Sequence, residues 1–212
     1  MSRLLIASDA WHPQINGVVR TLERLARHLP EFGVEPVMLT PDGFATVPCP
    51  TYPEIRLTVA WPGSIGRRLD AIDPDHVHIA TEGPIGFAVR RWCLRKGRLF
   101  TTSYHTRFPE YLAARLPIPV GWSYAMLRHF HNAGAGCMVS TRSIELELQE
   151  RGFRNLMRWS RGVDADLFRP GRNPDALDLP RPIYLYVGRV AVEKNIGAFL
   201  DCALPGSKVV VG

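Results

Sequence analysis

The chain has 212 residues, of which 46% are hydrophobic and 22% charged, so it can form one domain and part of a second. Its 26 basic and 20 acidic residues give a formal net charge of +6, which favours an anionic partner: nucleic acid, an anionic membrane surface or a phosphate-bearing small substrate. No apolar run reaches about 18 residues and the chain opens directly on a strand pattern, so we expect a cytoplasmic protein with neither a membrane span nor a secretory signal.

The first elements are a strand, a loop and a helix. An apolar strand is predicted over Leu4 to Ala7, and the loop from Ser8 to Gly17 (SDAWHPQING) is rich in turn-forming residues. A helix with one apolar face follows from Val18 and is limited by Pro30. Gly17 would let a ligand approach the start of this helix closely. Because no G-x-G-x-x-G lies between the strand and the helix, a nicotinamide enzyme is not indicated.

Prolines shape the next segment. Val34 to Thr40 is predicted as a strand, and Pro36 within it favours an edge position. Repeated prolines predict that Pro41 to Gly63 is mostly irregular, with a short strand near Ile55 to Val59. The strand from His76 to Ala80 places two histidines on one face, which raises the alternative of a metal site, but no third ligand lies near them in the sequence.

Alternating helices and strands complete the first domain. The predicted elements are a helix from Ile85 to its stop at Gly97, a strand from Leu99 to Tyr104, a helix around Trp122 to Phe130, a strand from Gly136 to Ser140, a helix from Ile144 to Arg151 and a last strand within Leu156 to Asp164. The four cysteines are widely spaced, show no C-x-x-C pair and fall mostly in apolar segments. They therefore predict buried thiols and neither a disulfide framework nor a zinc site.

One histidine follows a predicted central strand. His105 comes directly after the run from Leu99 to Tyr104. The carboxyl ends of parallel strands form the mouth of an α/β sheet, where ligands bind, so His105 could donate a hydrogen bond there or titrate near neutrality. A surface or helix-capping histidine is the alternative, and position alone does not separate the two.

A second domain is predicted to begin near Ile183. Four prolines lie among the 14 residues from Arg169 to Pro182, a composition typical of an interdomain linker. The predicted organisation is therefore a first domain over 1–168, a linker over 169–182 and a second domain over 183–212. Thirty residues of strand, helix and strand cannot cover both faces of a parallel sheet, so we expect the second domain to be the incomplete start of a larger one.

Two cations lie in the first loop of this second domain. Arg189 and Lys194 fall between the carboxyl end of the strand from Ile183 to Val187 and the amino end of a helix. This is where open α/β sheets bind ligands, and a guanidinium and an ammonium could hold a diphosphate from two sides. Two solvated loop cations are the alternative.

Four segments in order resemble a known family. They are SDAWHPQINGVVRTLERLARHL, SYHTRFPEY, SRGVDADLFRP and YVGRVAVEKNI, and together they extend over nearly the whole chain. Their sequence is similar to that of the retaining nucleotide-sugar glycosyltransferases of family 4, and the SYHT and PxxNG forms are most similar to the branch that glycosylates lipids, such as sulfoquinovosyl-diacylglycerol synthases and bacterial mannosyl-lipid transferases. The resemblance implies an α/β GT-B fold: a doubly wound parallel-sheet domain followed by the first βαβ elements of a second Rossmann-like domain.

The resemblance also implies roles for single residues. Gly17 matches the loop glycine that lies against the donor diphosphate, and His105 matches a histidine that contacts the donor sugar near the reacting carbon. Arg189 and Lys194 match the pair that neutralises the diphosphate leaving group, so that no metal or other cofactor is required. Two departures stand out: the family's later carboxylate pair, seven residues apart, has no counterpart before the chain ends, and Asn16 stands where many relatives have a second glycine.

The function implied is transfer of a hexose from a nucleotide-sugar to an acceptor, with retention, at the inner face of a membrane if the acceptor is a lipid. The basic pair Arg67 and Arg68 is the candidate contact for acceptor or anionic lipid. The 212-residue chain by itself is expected to be inactive. The chief alternative is a non-catalytic sugar-nucleotide-binding or regulatory protein of the same fold. Nucleic acid is not an expected partner, because the basic clusters lack interleaved aromatic residues and a recognition motif.

Overall fold

The computed structural model describes residues 1–14, 16–49, 52–59, 62–105, 109, 119–171, 177–188 and 190–212. It divides into two compact units, Met1–Arg161 and Gly162–Gly212, and each is described by itself. The predicted linker over 169–182 lies within the second unit, and its boundaries stay a prediction.

Unit 1 is built on a six-stranded parallel sheet. The strands of this unit are β1 (Ser2–Ala7), β2 (Val34–Leu39), β3 (Ala45–Cys49), β4 (Tyr52–Val59), β5 (His76–Ile79), β6 (Thr101–Ser103), β7 (Gly136–Val139) and β8 (Leu156–Arg158). The sheet has the order β2-β1-β5-β6-β7-β8, with every neighbouring pair parallel. This confirms the predicted doubly wound α/β class. It also places β2, with its Pro36, at one end of the described sheet, as Pro36 indicated.

Helices cover both faces of this sheet. They are α1 (Gly17–His28), α2 (Pro62–Ile72), α3 (Pro84–Lys96), α4 (Val120–His131) and α5 (Arg142–Glu150). Successive residues of β1 point to opposite faces: Ile6 packs with Leu22 of α1, whereas Leu5 belongs to the cluster that contains Leu69 of α2 and Val89 of α3. A further cluster joins α4 and α5 to β7 through buried Leu127, Leu148 and Val139. The apolar clusters fix the helices against the sheet, and they thereby position the loops at the carboxyl ends of the strands.

The segment from Pro41 to Gly63 differs from its prediction. In place of a mostly irregular stretch, β3 and β4 form an antiparallel pair with an irregularity between Pro48 and Cys49. The prolines are tolerated because each strand of a two-stranded ribbon has an open edge that needs no amide donor. Only the later half of β4, around Ile55 to Val59, was predicted as a strand.

Several element ends and one thiol also differ from prediction. β6 is shorter than predicted, and α5 begins at Arg142, where the side-chain oxygen of Thr141 accepts a hydrogen bond of 3.3 Å from the amide of Ile144. Cys93 and Cys137 are buried as predicted, whereas Cys202 is exposed because it directly follows a short helix that has no buried residue.

Unit 2 contains a parallel strand, helix and strand, as the sequence indicated. β9 (Ile183–Val187) pairs with β10 (Ser207–Val211), and a 3-10 turn (Val192–Lys194) and α6 (Ile196–Asp201) lie between them in the chain. Within the part of the chain that the structure describes, no helix is long and apolar enough to cross a membrane.

Candidate functional site

The parallel strands of unit 1 all present their carboxyl ends at one edge of the sheet. Asp9 follows β1, Thr81 follows β5, His105 follows β6, and Arg161 follows β8. Because parallel strands share a direction, these polar side chains come from distant parts of the sequence to the same edge. We define this carboxyl edge as the candidate site.

His105 is held by Arg161 at this edge. Nη2 of Arg161 lies 3.1 Å from Nδ1 of His105. A guanidinium can only donate, so Nδ1 must accept, and the proton of the neutral ring is therefore on Nε2. The ring also lies against Trp159, with a distance of 6.2 Å between ring centroids. Arg161 and Trp159 thus fix both the tautomer and the orientation of His105.

His105 remains neutral at physiological pH. Burial, followed by the positive charge of Arg161, lowers the pKa of His105 to about 3. Of the two roles expected from the sequence, donation of a hydrogen bond is therefore supported and titration near neutrality is not. Nε2 is buried and has no hydrogen-bond partner among the described residues. Since an unpaired buried donor costs about 1 to 3 kcal/mol, this N–H is suited to a ligand oxygen.

Asp9 fixes the loop between β5 and α3. Its carboxylate accepts hydrogen bonds from the amides of Ile85 at 2.8 Å and Gly86 at 3.2 Å, and from the hydroxyl of Thr81 at 3.0 Å. In return, the amide of Asp9 donates to Thr81 Oγ1 at 2.7 Å. Burial raises the pKa of Asp9, and the two amide hydrogen bonds partly offset that effect. Asp9 therefore caps α3 and ties the end of β1 to the end of β5.

Two glycines make this close packing possible. A Cβ atom at Gly83 would lie 2.3 Å from Cγ of Asp9, and one at Gly86 would lie 2.0 Å from the carbonyl oxygen of Thr81. Neither distance can be accommodated without moving the backbone or the buried carboxylate. The loop is therefore fixed by the absence of side chains at these two positions as well as by Asp9.

Two further histidines are buried beneath the edge. His131 Nε2 lies 3.1 Å from Glu82 Oε1, and Nδ1 lies 2.8 Å from Thr102 Oγ1. Burial opposes protonation of His131, but hydrogen bonds with Cys137 and Glu82 outweigh it and raise the pKa to about 9. These contacts fix the position of His131 within the core of unit 1.

The pKa of His78 is shifted in the opposite direction. Its ring lies between the hydroxyls of Thr101 at 2.8 Å and Ser103 at 2.9 Å, and burial lowers its pKa to about 4. His76, two residues earlier, is exposed. No group of three or more potential metal-ligating side chains occurs among the described residues.

The start of α1 is open where Gly17 lies. Oδ1 of Asn16 accepts hydrogen bonds of 3.0 Å from the amides of Val18 and Val19. Gly17 is exposed, and a Cβ placed on it would meet no described atom within 4 Å. Asn16 thus caps two amides of the first turn with its own side chain and leaves the side of Gly17 accessible.

The remaining predicted site residues are Arg67, Arg68, Arg189 and Lys194. Arg189 lies outside the described residues, and Lys194 is exposed at the end of the 3-10 turn in unit 2. Arg67 and Arg68 are exposed on α2, where the guanidinium of Arg68 lies 5.4 Å from the centre of the Phe44 ring. Sequence reasoning did not identify Asp9, Trp159 or Arg161, although each lies within about three residues of the end of a strand of the sheet, as His105 does.

The fold and the polar carboxyl edge define an α/β protein of the GT-B type. A family model described as Glycosyltransferase Family 4 matches residues 15–167, which is more than half of the chain. The chain therefore belongs to glycosyltransferase family 4.

The chain is also similar to individual known proteins, at low sequence identity. The chain is 26% identical to a GDP-mannose-dependent alpha-mannosyltransferase of Mycobacterium tuberculosis (strain CDC 1551 / Oshkosh), over 99% of this chain and 62% of the relative. It is 25% identical to sulfoquinovosyl transferase SQD2 of Arabidopsis thaliana, over 86% of this chain and 40% of that protein. Among solved structures, the S. aureus MnaA-UDP co-structure is similar with a TM-score of 0.51 and 10% identity, over 90% of this chain and 54% of that one, which shows likeness of fold alone. The chain spans between 40% and 62% of the length of these curated relatives.

Proposed function

We propose that the protein containing this chain transfers a hexose from a nucleotide-sugar to an acceptor. Membership of family 4 supports the reaction class, and the names of the relatives include GDP-mannose-dependent and sulfoquinovosyl transferases. The observation that carries the proposal is the neutral His105, with its Nδ1 occupied by Arg161 and its Nε2–H buried and without a described partner.

In this proposal His105 donates a hydrogen bond from Nε2 to an oxygen of the donor sugar near the reacting carbon. Arg161 keeps the tautomer that makes this possible, because its guanidinium holds Nδ1 as the acceptor. A neutral donor suits a reaction centre that develops positive character, since a protonated imidazole would repel it. Arg161 is then a positioning residue and His105 the catalytic one.

Charge that develops on the leaving diphosphate requires separate stabilisation. We assign this to Arg189 and Lys194 of unit 2 and to the exposed backbone at Gly17, following the family resemblance. Fixed cations can stabilise such charge without a metal, so the reaction is proposed to be metal-independent and to require no cofactor. Replacing Lys194 with Gln in the complete enzyme should raise the donor KM about tenfold or more, the loss expected for one charge-assisted hydrogen bond.

Retention of configuration and a lipid acceptor at the inner membrane face are further parts of the proposal. The resemblance to the lipid-glycosylating branch supports an acceptor of lipid type, and the net charge of +6 supports an anionic membrane surface as a partner. The sequence indicated Arg67 and Arg68 as a contact for acceptor or anionic lipid, and in this proposal they serve the acceptor.

The central experiment replaces His105 in the complete enzyme and measures turnover with a panel of nucleotide-sugars. His105→Ala should lower kcat by about a hundredfold while the protein remains folded, and His105→Gln, which keeps an N–H donor, should recover part of the loss. The exposed His28 provides the matched control, and His28→Ala should be without effect.

The pH profile gives a second readout. Because the pKa of His105 is about 3, protonation of this ring should not reduce kcat between pH 8 and 5. Undiminished turnover of His105→Ala would remove the catalytic assignment. If the unmodified enzyme binds nucleotide-sugars without transferring sugar to any acceptor, a non-catalytic binding protein of the same fold becomes the correct description.

A further inference from the structure

The outward faces of α3 and α4 form one continuous surface. Arg90 of α3 donates hydrogen bonds to the carbonyl oxygens of His129 at 2.8 Å and Phe130 at 3.1 Å, both in α4. The rings of Phe87 and Phe130 meet edge to face, with centroids 4.8 Å apart. The two helices are thus fixed side by side, and Arg90 lines both of the open depressions, of about 510 and 710 Å³, that lie along them.

This surface, which we call the α3–α4 face, combines cations with exposed apolar side chains. Trp122 is 76% exposed, Leu94 49%, Met126 42% and Phe87 37%. Phe87 and Leu94 line one of the depressions, and the basic side chains that line the two are Arg90, Arg91, Arg95, Arg128 and Arg154. Neither α3 nor α4 contains an aspartate or glutamate.

Two carboxylates next to these helices, Asp70 and Glu147, are already paired. Asp70 holds Lys96 at 2.9 Å and the indole N–H of Trp92 at 2.9 Å, and Glu147 holds Arg151 at 3.4 Å. The positive charge of the α3–α4 face is therefore not neutralised by acidic side chains of its own helices. Exposed aromatic and aliphatic side chains on a pair of basic helices are the pattern of a protein surface that lies in the headgroup region of a bilayer.

We propose that the α3–α4 face is the surface with which this protein docks on an anionic phospholipid bilayer. The arginines bind lipid phosphates, while Trp122, Leu94 and Met126 enter the boundary between headgroups and acyl chains. Aliphatic side chains distinguish this surface from one that binds nucleic acid, whose interface is more polar. The inference deepens the proposed lipid-directed function by naming the docking surface, and it differs from the Arg67 and Arg68 contact that the sequence indicated.

The test is sedimentation of the 212-residue chain with vesicles of phosphatidylglycerol and phosphatidylcholine, compared with pure phosphatidylcholine. The chain should sediment with the anionic vesicles alone. Two variants, Arg91→Gln/Arg95→Gln and Trp122→Ala, should each weaken binding on the order of tenfold. All three side chains are exposed, so the variants should fold, and thermal unfolding checks that they do.

The matched control removes the same charge from the opposite face of the sheet. Arg20→Gln/Arg27→Gln on α1 should bind as the unmodified chain does. Equal losses in the control would show that net charge alone drives binding, and a loss confined to Arg67→Gln/Arg68→Gln would transfer the contact to α2; either outcome overturns the proposal. Tighter binding to duplex DNA than to anionic vesicles, lost in the same α3 variant, would also overturn it. Vesicle binding requires no sugar donor, so its failure is distinguishable from a failure of the proposed transfer reaction.

Discussion

At the scale of single residues, unit 1 contains two buried histidines whose pKa values are shifted in opposite directions. His78 has no ionic partner among the described residues and is hydrogen-bonded to the hydroxyls of Thr101 and Ser103, and burial lowers its pKa to about 4. His131 is paired with Glu82, and its pKa is raised to about 9. The first histidine makes the fold sensitive to acid, and the second makes it sensitive to base.

The acid sensitivity due to His78 can be measured. An unfolded histidine has a pKa near 6.5, so the unfolded chain binds a proton more readily than folded His78 does. The stability contributed by neutral His78 is therefore present above about pH 6.5 and is lost as the pH falls towards 4. Between pH 7 and 5 this loss should amount to about 2 kcal/mol of the free energy of unfolding.

Urea unfolding at both pH values measures this loss in the unmodified chain and in His78→Asn. The variant is expected to be less stable at pH 7, but its loss between pH 7 and 5 should be smaller by about 2 kcal/mol. His28→Asn, at an exposed histidine, controls for the removal of a histidine in general. Parallel curves for His78→Asn and the unmodified chain would show that His78 is not held neutral.

The candidate site could be predicted only in part at this scale. His105 was identifiable because it directly follows a strand pattern, and that position is informative without knowledge of its neighbours. Its partner Arg161 lies 56 residues further along the chain, three residues after the end of β8. Local patterns give the strand ends, but the contact between two of them depends on the order of strands in the sheet. For the same reason, the sequence did not reveal Asp9 or its hydrogen bonds to the start of α3.

At the scale of elements, the junction between β5 and α3 depends on backbone packing. Gly86→Ala would place Cβ 2.0 Å from the carbonyl oxygen of Thr81, which is backbone and cannot rotate away. We predict that this substitution lowers the free energy of unfolding by about 3 kcal/mol, because α3 must shift away from the loop that Asp9 caps. Chemical denaturation measures the change.

Gly66→Ala in α2 is the matched control for this prediction. There the added Cβ would meet Trp92 at 3.8 Å, an ordinary van der Waals contact. Because alanine is favoured over glycine inside a helix by about 1 kcal/mol, this variant should be slightly more stable than the unmodified chain. A harmless Gly86→Ala would mean that α3 is not packed against Thr81 as the structure has it.

The accuracy of prediction for each element followed the strength of its pattern. The parallel strands and α3 were predicted because continuous apolar runs and helical spacing leave few alternatives. The β3–β4 pair was missed because Pro48 and Pro53 weaken a strand pattern, although a two-stranded ribbon has open edges where a proline fits. Composition cannot show whether a proline lies on an open or a bonded edge, since pairing of the strand decides that.

At the scale of the whole molecule, the chain consists of two units with separate sheets. Unit 1 has apolar clusters on both faces of its six strands, whereas β9 and β10 of unit 2 form a pair whose Leu185, Val187 and Val211 are more than half exposed. Burial of apolar surface is the main favourable contribution to folding, so the two units should differ in stability.

This difference predicts where a protease will cut the chain. The described residues of 162–182 are exposed with the exception of the partly buried Asp164, and none belongs to a helix or a strand of a sheet. Proteolysis requires an exposed segment that can enter the protease, so proteinase K at low concentration should cut within 162–182 before it cuts the helices of unit 1. Mass spectrometry should then find a lasting fragment that begins at residue 1 and ends in that range, and the fragment should unfold cooperatively with the pH dependence assigned to His78. First cuts within α2 or α3, or a fragment that unfolds without cooperativity, would show that unit 1 depends on the rest of the chain for its stability.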